Sequence, residues 1–435
     1  MEYNSKNLAA LIPPPTLAPP SMAFAIKTFC VRHPGLLFLF PYSALLIFLG
    51  LGDGALQVDE GMDTFVSATI LKYGVPMHSD GINATMRYAD IYDGLFIYRT
   101  WVPYYLQALS LSVFGPTTFA ARLPFALAGV ISVITLYFFA LRLTANRFTA
   151  FLSALFLASS APALLYFRTA RYVGFSILWT VLLLHFYFSI FADKKWKSSP
   201  FIITAILFFH SMYVAFAGVT LGVLIHFLLH RKKIRPENAR KVPGCAFVIA
   251  CFTLPWLIAI FPVFPHISHF YVATSHLVDT SFSGYFKHFL GYLFQTNNYI
   301  FPFIFLPFLF LKNLRPYKLQ IQLLSICIVT HLAVSSTHAI PLHQYVAGIF
   351  PLFYILLAMI LTMGFRKKVW PSAILAGILI LTNLLHIGPL LPVKKFLQNR
   401  EGGFGASSYL QYASFTFMRE VRLTSVFCKH LYQIS

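Results

Sequence analysis

Acidic residues are scarce in this chain. Only 13 of its 435 residues are Asp or Glu, against 33 Lys and Arg, a formal net charge of +20. All charged residues together make up 11% of the sequence, whereas a soluble domain carries roughly 25%. Cysteine is also rare. The five (Cys30, Cys245, Cys251, Cys327 and Cys428) are scattered without metal-ligand spacing, which argues against a zinc module or a disulfide framework. No GxGxxG, P-loop or HExxH pattern occurs, so the commoner nucleotide-binding and metalloprotease signatures are missing. What the chain has instead is apolar mass: 58% hydrophobic residues, with 47 Phe. Its main solvent is expected to be lipid.

The basic excess does not point to nucleic acid. Lys and Arg stand in short clusters between apolar runs, at Lys194–Lys197, Arg231–Lys241, Lys312–Lys318 and Arg366–Lys368. That is the distribution expected of cytoplasmic loops in a polytopic membrane protein. The apolar runs predict an all-α fold with about eleven spans, roughly 35–52, 120–143, 148–167, 173–191, 198–211, 213–230, 243–264, 298–311, 319–336, 341–363 and 369–388. An odd number puts the N-terminus inside and the C-terminus outside. The expected organisation is a Pro-rich cytoplasmic segment 1–34, a membrane domain 35–388, and an outer tail 389–435. Outer loops cover 53–119 and 265–297. The first apolar run has no small-residue cleavage site and is read as a retained span. No internal repeat is evident.

The stretch "RTWVPYYLQALSLSVFG", Arg99 to Gly115, is apolar but short, with Gln107 and several hydroxyls on one side. It is expected as an amphipathic helix in the outer interface, since a span there would turn the downstream basic clusters outward.

Between Asp53 and Arg99 lie seven of the 13 acids: Asp53, Asp59, Glu60, Asp63, Asp80, Asp90 and Asp93. Outer-face chemistry that needs a carboxylate must draw chiefly on this loop. "DEGMDTFVSATILKYG" predicts a helix capped by Asp59 or a neighbour and stopped by Gly74. Its apolar face is Met62, Phe65, Val66, Thr69 and Ile70. Asp59 and Asp63 share a face, and Glu60 turns about 100° away. A carboxylate there can act as a general base, or simply favour the helix dipole. Asn83-Ala84-Thr85 is a glycosylation sequon, meaningful only in a eukaryotic lumen.

The order of these pieces resembles the GT-C class of membrane glycosyltransferases. It is most similar to the group of the protein O-mannosyltransferases and the lipid A aminoarabinose transferase. The matching pieces are Asp59-Glu60 after the first span, Pro103-Tyr104-Tyr105, Phe114-Gly115, and Ala121-Arg122-Leu123-Pro124. "YFRTARYVGF", Tyr166 to Phe175, resembles the second outer loop of the group, and "PLHQYVAGIFPLFYILLAMIL" resembles a late span. Two departures stand out. Val173 and Gly174 replace the acid that often follows Arg-Tyr, and Gln344 replaces the usual basic residue before Tyr345, with His338 and His343 nearby.

The resemblance implies transfer of one sugar from a polyprenyl- or dolichyl-phosphate carrier to an acceptor hydroxyl. In that reading Asp59 is the base and Glu60 its support, or a ligand of the acceptor or of a loop backbone. Arg168 and Arg171 are candidates for the leaving phosphate, with snorkelling or headgroup contacts as the alternative. His343, Gln344 and Tyr345 are further candidates. Asp63, Tyr104 and Tyr105 are candidates for the acceptor or the loop, although Asp63 could be only a helix-end charge. Arg122 is expected to pin the second surface helix to the second span. No cofactor is expected; without the second-loop acid a divalent ion is not predicted. The partners implied are the lipid-linked donor, membrane lipids and an acceptor that is protein, lipid or glycan. A bacterial plasma membrane is favoured over the endoplasmic reticulum. The rival readings are a transporter or flippase, a polymerase or ligase of lipid-linked glycans, and a non-catalytic scaffold.

Overall fold

The computed structural model describes residues 31–85, 92–97, 99–263, 265, 281–299, 316–338, 343–367 and 369–385. The expected span 298–311 beyond residue 299, the tail 389–435, residues 266–280 of outer loop 265–297, and Cys30, Cys428 and Asp90 lie outside them. Among the described residues the chain is helical, and its only bridges are the isolated pairs Met77–Leu95 and Ser79–Ala84. It is a multi-pass membrane protein. Among the described residues six helices are long and apolar enough to cross a bilayer, or seven if one bent pair is a single span.

The eleven expected spans map unevenly onto the helices. α1 (Pro34–Phe48) begins at a proline and is too short by itself to meet the span criterion. α2 (Val58–Tyr73) and α3 (Val102–Phe114) form the loop between the first two apolar runs. α4 (Thr118–Thr144) starts where the Thr117 side chain accepts the amide of Ala120, and ends at Ala145 in the left-handed region. The expected span 148–167 is broken into α5 (Arg147–Ala158) and α6 (Ala161–Arg168), bent by 62°. The break has a cause. Ser160 caps α6 by accepting the amide of Ala163, and Pro162 follows in its first turn. Tyr42 reaches Ser159 at 2.9 Å and Tyr354 donates to Ser160 at 2.6 Å, so hydroxyls from two other helices hold the corner.

α7 (Val173–Ala192) and α8 (Ser199–Phe209) follow, then α9 (Tyr213–His230) and α10 (Val242–Ile260). α8 is too short for a full crossing. After α11 (Phe282–Tyr299) comes α12 (Lys318–Ser336), which packs tightly along α9. A Cβ at Gly218 would lie 2.6 Å from the Cα of His331, and one at Gly222 would lie 2.7 Å from the Cα of Cys327. Only glycine admits that approach. The last elements are a 3-10 segment (His343–Ile349), α13 (Phe350–Lys367) and α14 (Val369–Leu385). Among the described residues α13 is the most enclosed span, with its own Phe350, Leu352, Tyr354 and Ile355 fully buried.

α3 forms where expected, with an orientation set by lipid. Tyr104, Gln107 and Ser110 point inward, while Leu106, Leu109, Val113 and Phe114 face out. Gln107 donates to Thr64 Oγ1 at 2.9 Å and to the Ala121 carbonyl at 3.1 Å, and accepts from Ser67 at 2.6 Å. A polar group facing hydrocarbon has no partner there, so the polar side turns toward protein. These bonds lock α2, α3 and the start of α4 together.

Candidate active site

The site is built around Glu60, in the first turn of α2. Gln57 and Glu60 form a capping box, with the Gln57 amide donating to Glu60 Oε2 at 2.9 Å. The carboxylate also accepts Arg122 Nε at 3.0 Å and Nη2 at 2.9 Å, and the amide of Ala170 at 2.6 Å. Its side chain is 1% exposed. Arg122 continues to the carbonyls of Leu51 and Ala55, each at 3.1 Å. One buried ion pair therefore ties the end of the first apolar run, α2, α4 and the loop after α6. Arg122 was expected to fasten α3 to α4; its hydrogen bonds instead run to α2 and the chain before it. Among the Glu60 roles read from sequence, the grip on a loop backbone is the one seen.

One turn further along α2, Asp63 is buried and receives three groups. Arg99 and Tyr104 both reach Oδ1, the tyrosine hydroxyl at 3.1 Å, and Arg171 Nε lies 3.4 Å from Oδ2. Asp63 is thus no mere helix-end charge. Arg171 is itself buried. Its Nη1 makes an ion pair with Asp59, and its Nη2 donates to Gln344 Oε1 at 3.3 Å. Burial opposes the charge on Arg171, but the fields of Asp63, Tyr172 and Asp59 outweigh it and hold its pKa above the usual arginine value. Tyr172 lies beside two cations, with its ring centroid 5.2 Å from Arg99 Cζ and 5.6 Å from Arg171 Cζ.

Asp59 is the carboxylate of this group that reaches solvent, with a side chain 54% exposed. Two guanidinia, Arg99 from the loop before α3 and Arg171 from the loop after α6, thus gather at two carboxylates of α2, Asp59 and Asp63. Glu60 and Asp63 are occupied by the fold, whereas Asp59 is bound to one cation and otherwise open. Among the described residues no group of three or more His, Cys, Asp and Glu gathers as a metal site.

The remaining candidates lie as follows. Arg168 Nη1 donates to the carbonyls of Leu46, Ile47 and Leu49, at 2.9, 3.1 and 2.7 Å. It closes the C-terminal end of α1, whose last carbonyls lack helical donors. Tyr105 is exposed and donates to the Gly74 carbonyl at 2.9 Å, beyond the left-handed stop of α2. Tyr345 is buried, with its ring centroid 4.3 Å from that of His338. The side chain of His343 is outside the described set. Arg99 and Tyr172 are the residues that sequence reasoning missed. Arg99 reads there only as the start of the α3 stretch.

Comparison with known proteins agrees with this architecture. Residues 99–258 match the family model described as dolichyl-phosphate-mannose-protein mannosyltransferase. No curated protein sequence matches the chain. Among solved structures, ArnT from Cupriavidus metallidurans in the apo state is similar with a TM-score of 0.52 and 17% identity, over 81% of this chain and 64% of that one. The same enzyme bound to undecaprenyl phosphate gives 0.52 and 18%, over 79% and 64%. An oligosaccharyltransferase from Archaeoglobus fulgidus, tethered to an acceptor peptide, gives 0.49 and 13%, over 88% and 59%. The chain thus spans less than two thirds of the length of the ArnT structures it resembles. With helices in this order and the mannosyltransferase match running from Arg99 through α10, the chain has the fold of the GT-C membrane glycosyltransferases.

Proposed function

We propose that the chain is a glycosyltransferase that moves one sugar from a polyprenyl- or dolichyl-phosphate carrier to an acceptor hydroxyl at the membrane face carrying Asp59. The observation that carries the reading is the pairing of a half-exposed Asp59 with a buried Arg171. Asp59 takes the proton from the acceptor hydroxyl. The acceptor oxygen attacks the anomeric carbon, the carbon–oxygen bond to phosphate breaks, and the electron pair leaves on the phosphate oxygen. Arg171, supported by Arg99, receives that charge with a fork of N–H donors. The phosphate displaces the Asp59 carboxylate from Arg171 Nη1, which leaves Asp59 free to act on the acceptor. The binding of undecaprenyl phosphate by the similar ArnT from Cupriavidus metallidurans supports a lipid phosphate as donor.

The orientation belongs to the same reading. α4, α7 and α9 each run from the Asp59 end of the bundle toward a basic end, where Arg142, Lys194 and Arg231 lie. Basic loops stay on the cytoplasmic side, so the site faces the periplasm or lumen and the N-terminus is cytoplasmic. A bacterial plasma membrane is the setting we favour. The acceptor is a protein, a lipid or a glycan, and no metal is assigned a role.

The experiment is incubation of the purified protein with polyprenyl-phosphate sugars, scored by release of polyprenyl phosphate. Release with sugar appearing on an added acceptor supports the reading. Passage of substrate across a vesicle membrane without release overturns it in favour of a transporter.

A further inference from the structure

His331 lies on α12, well inside an apolar helix, and is fully buried. Its Nε2 is 2.8 Å from the Tyr345 carbonyl. A carbonyl only accepts, so Nε2 carries the proton. Ser335, one turn along α12, donates to the same carbonyl at 3.3 Å. Two side chains of one helix thus hold a single carbonyl of the 3-10 segment His343–Ile349.

That carbonyl belongs to the residue after Gln344, whose side chain accepts from Arg171 Nη2 at 3.3 Å. The other side of the segment is held as well. A Cβ at Gly348 would lie 3.1 Å from Thr180 Oγ1 and 3.5 Å from the Ser176 carbonyl, both on α7. α7 begins two residues after Arg171. The segment is therefore wedged between α12 and the helix that carries the arginine loop. On the α12 side, the hydrogen bond from His331 is the shorter of the two that fix its height.

We propose that His331 is a positioning residue for the Arg171 centre: through the Tyr345 carbonyl it sets Gln344, and through Gln344 it sets the guanidinium that holds Asp59. This rests on the glycosyl-transfer reading for its kinetic consequence, but not for its structural one. Substituting the donor changes no group that touches substrate. It removes one hydrogen bond, whose worth corresponds to an effect of up to about tenfold.

The test compares His331→Leu, His331→Gln, Gln344→Leu and the double variant with Leu at both positions. Hydrogen–deuterium exchange is read at 169–172 and 343–349 in the full chain in detergent. Donor kinetics use a polyprenyl-phosphate sugar. The expected result is faster exchange at both segments in His331→Leu, and only at 169–172 in Gln344→Leu. Glutamine at 331 still offers an N–H and returns exchange to the wild-type pattern. Donor kcat/KM falls by up to about tenfold in His331→Leu, and the double variant is no worse than Gln344→Leu. Unchanged exchange at 169–172 in His331→Leu, or additive losses in the double variant, overturns the proposal. If the wild type transfers no sugar, the glycosyl-transfer reading fails while the exchange result still decides the role of His331.

Discussion

The guanidinium of Arg122 meets the carboxylate of Glu60 edge to edge, Nε 3.0 Å from Oε1 and Nη2 2.9 Å from Oε2. Such a two-pronged contact combines charge with fixed geometry. Glu60 adds two backbone amides and Arg122 two backbone carbonyls, so the pair is buried with its polar capacity used. Truncating one partner leaves the other charge stranded. Glu60→Ala is expected to lose about 3–5 kcal/mol of stability, read as a fall in the unfolding midpoint in detergent and in membrane yield. Wild-type stability in that variant would show that the knot is not structural.

Asp59 differs from its neighbour in every respect that matters for chemistry. It is half exposed, and its contact with Arg171 sits at the rim of the cluster. Asp59→Asn keeps the shape and removes the proton acceptor. Sugar transfer should fall by about 10²–10⁴, with the unfolding midpoint close to wild type. Full transfer activity in this variant removes Asp59 as the base.

Asp63 is the counter-charge for two arginines and accepts a tyrosine hydroxyl as well. Asp63→Ala would leave Arg171 buried with Asp59 as its remaining carboxylate partner. The expected cost is again about 3–5 kcal/mol, accompanied by weaker use of the donor. Stability and donor KM are to be measured on the same preparation. A variant as stable as the wild type would show that Arg171 does not depend on Asp63.

How much of this was written in the sequence depends on distance along the chain. α2, its glycine stop and the shared face of Asp59 and Asp63 are local features, and each is legible. The corner at Ser159–Ser160 also has a local cause in Ser160 and Pro162, but a continuous apolar run hides it. The inward turn of Gln107 and Ser110 follows from lipid as solvent, where a polar stripe seeks protein rather than the interface. The contacts that make the site are of another kind. Arg99 with Asp63, Arg122 with Glu60, and Arg171 with Gln344 join residues 36, 62 and 173 positions apart. Residue type marks such groups as able to pair, and only packing decides the partner. For the same reason Arg168 and Arg171, alike in sequence, have different surroundings.

α9 and α12 approach so closely that Gly218 and Gly222 have no room for a side chain. Gly218→Ala would push a methyl against the backbone at His331, and a cost of about 1–3 kcal/mol is expected. Because His331 holds the Tyr345 carbonyl, the strain should also reach the donor site. Gly377, where a Cβ would meet nothing within 4 Å, is the control. Gly377→Ala should unfold no earlier than the wild type. Equal behaviour of the two variants would mean that the helix pair accommodates a methyl freely.

The two arginines of "RTARY" give the sharpest contrast. Arg168 spends Nη1 on three carbonyls at the end of α1, while Arg171 faces Asp59, Asp63 and Gln344. Arg168→Ala should therefore act on the fold. The carbonyls at the end of α1 lose their donor, at a cost of about 1–3 kcal/mol, and donor KM stays near wild type in the folded fraction. Arg171→Ala should act on chemistry as well, since it removes the cation facing the leaving phosphate and strands Asp63. Lysine restores charge but not the fork, so Arg171→Lys should recover stability more than turnover. Donor titrations of all three variants, normalised to folded protein, test the division. A donor defect in Arg168→Ala as large as that in Arg171→Ala would return both arginines to the phosphate site.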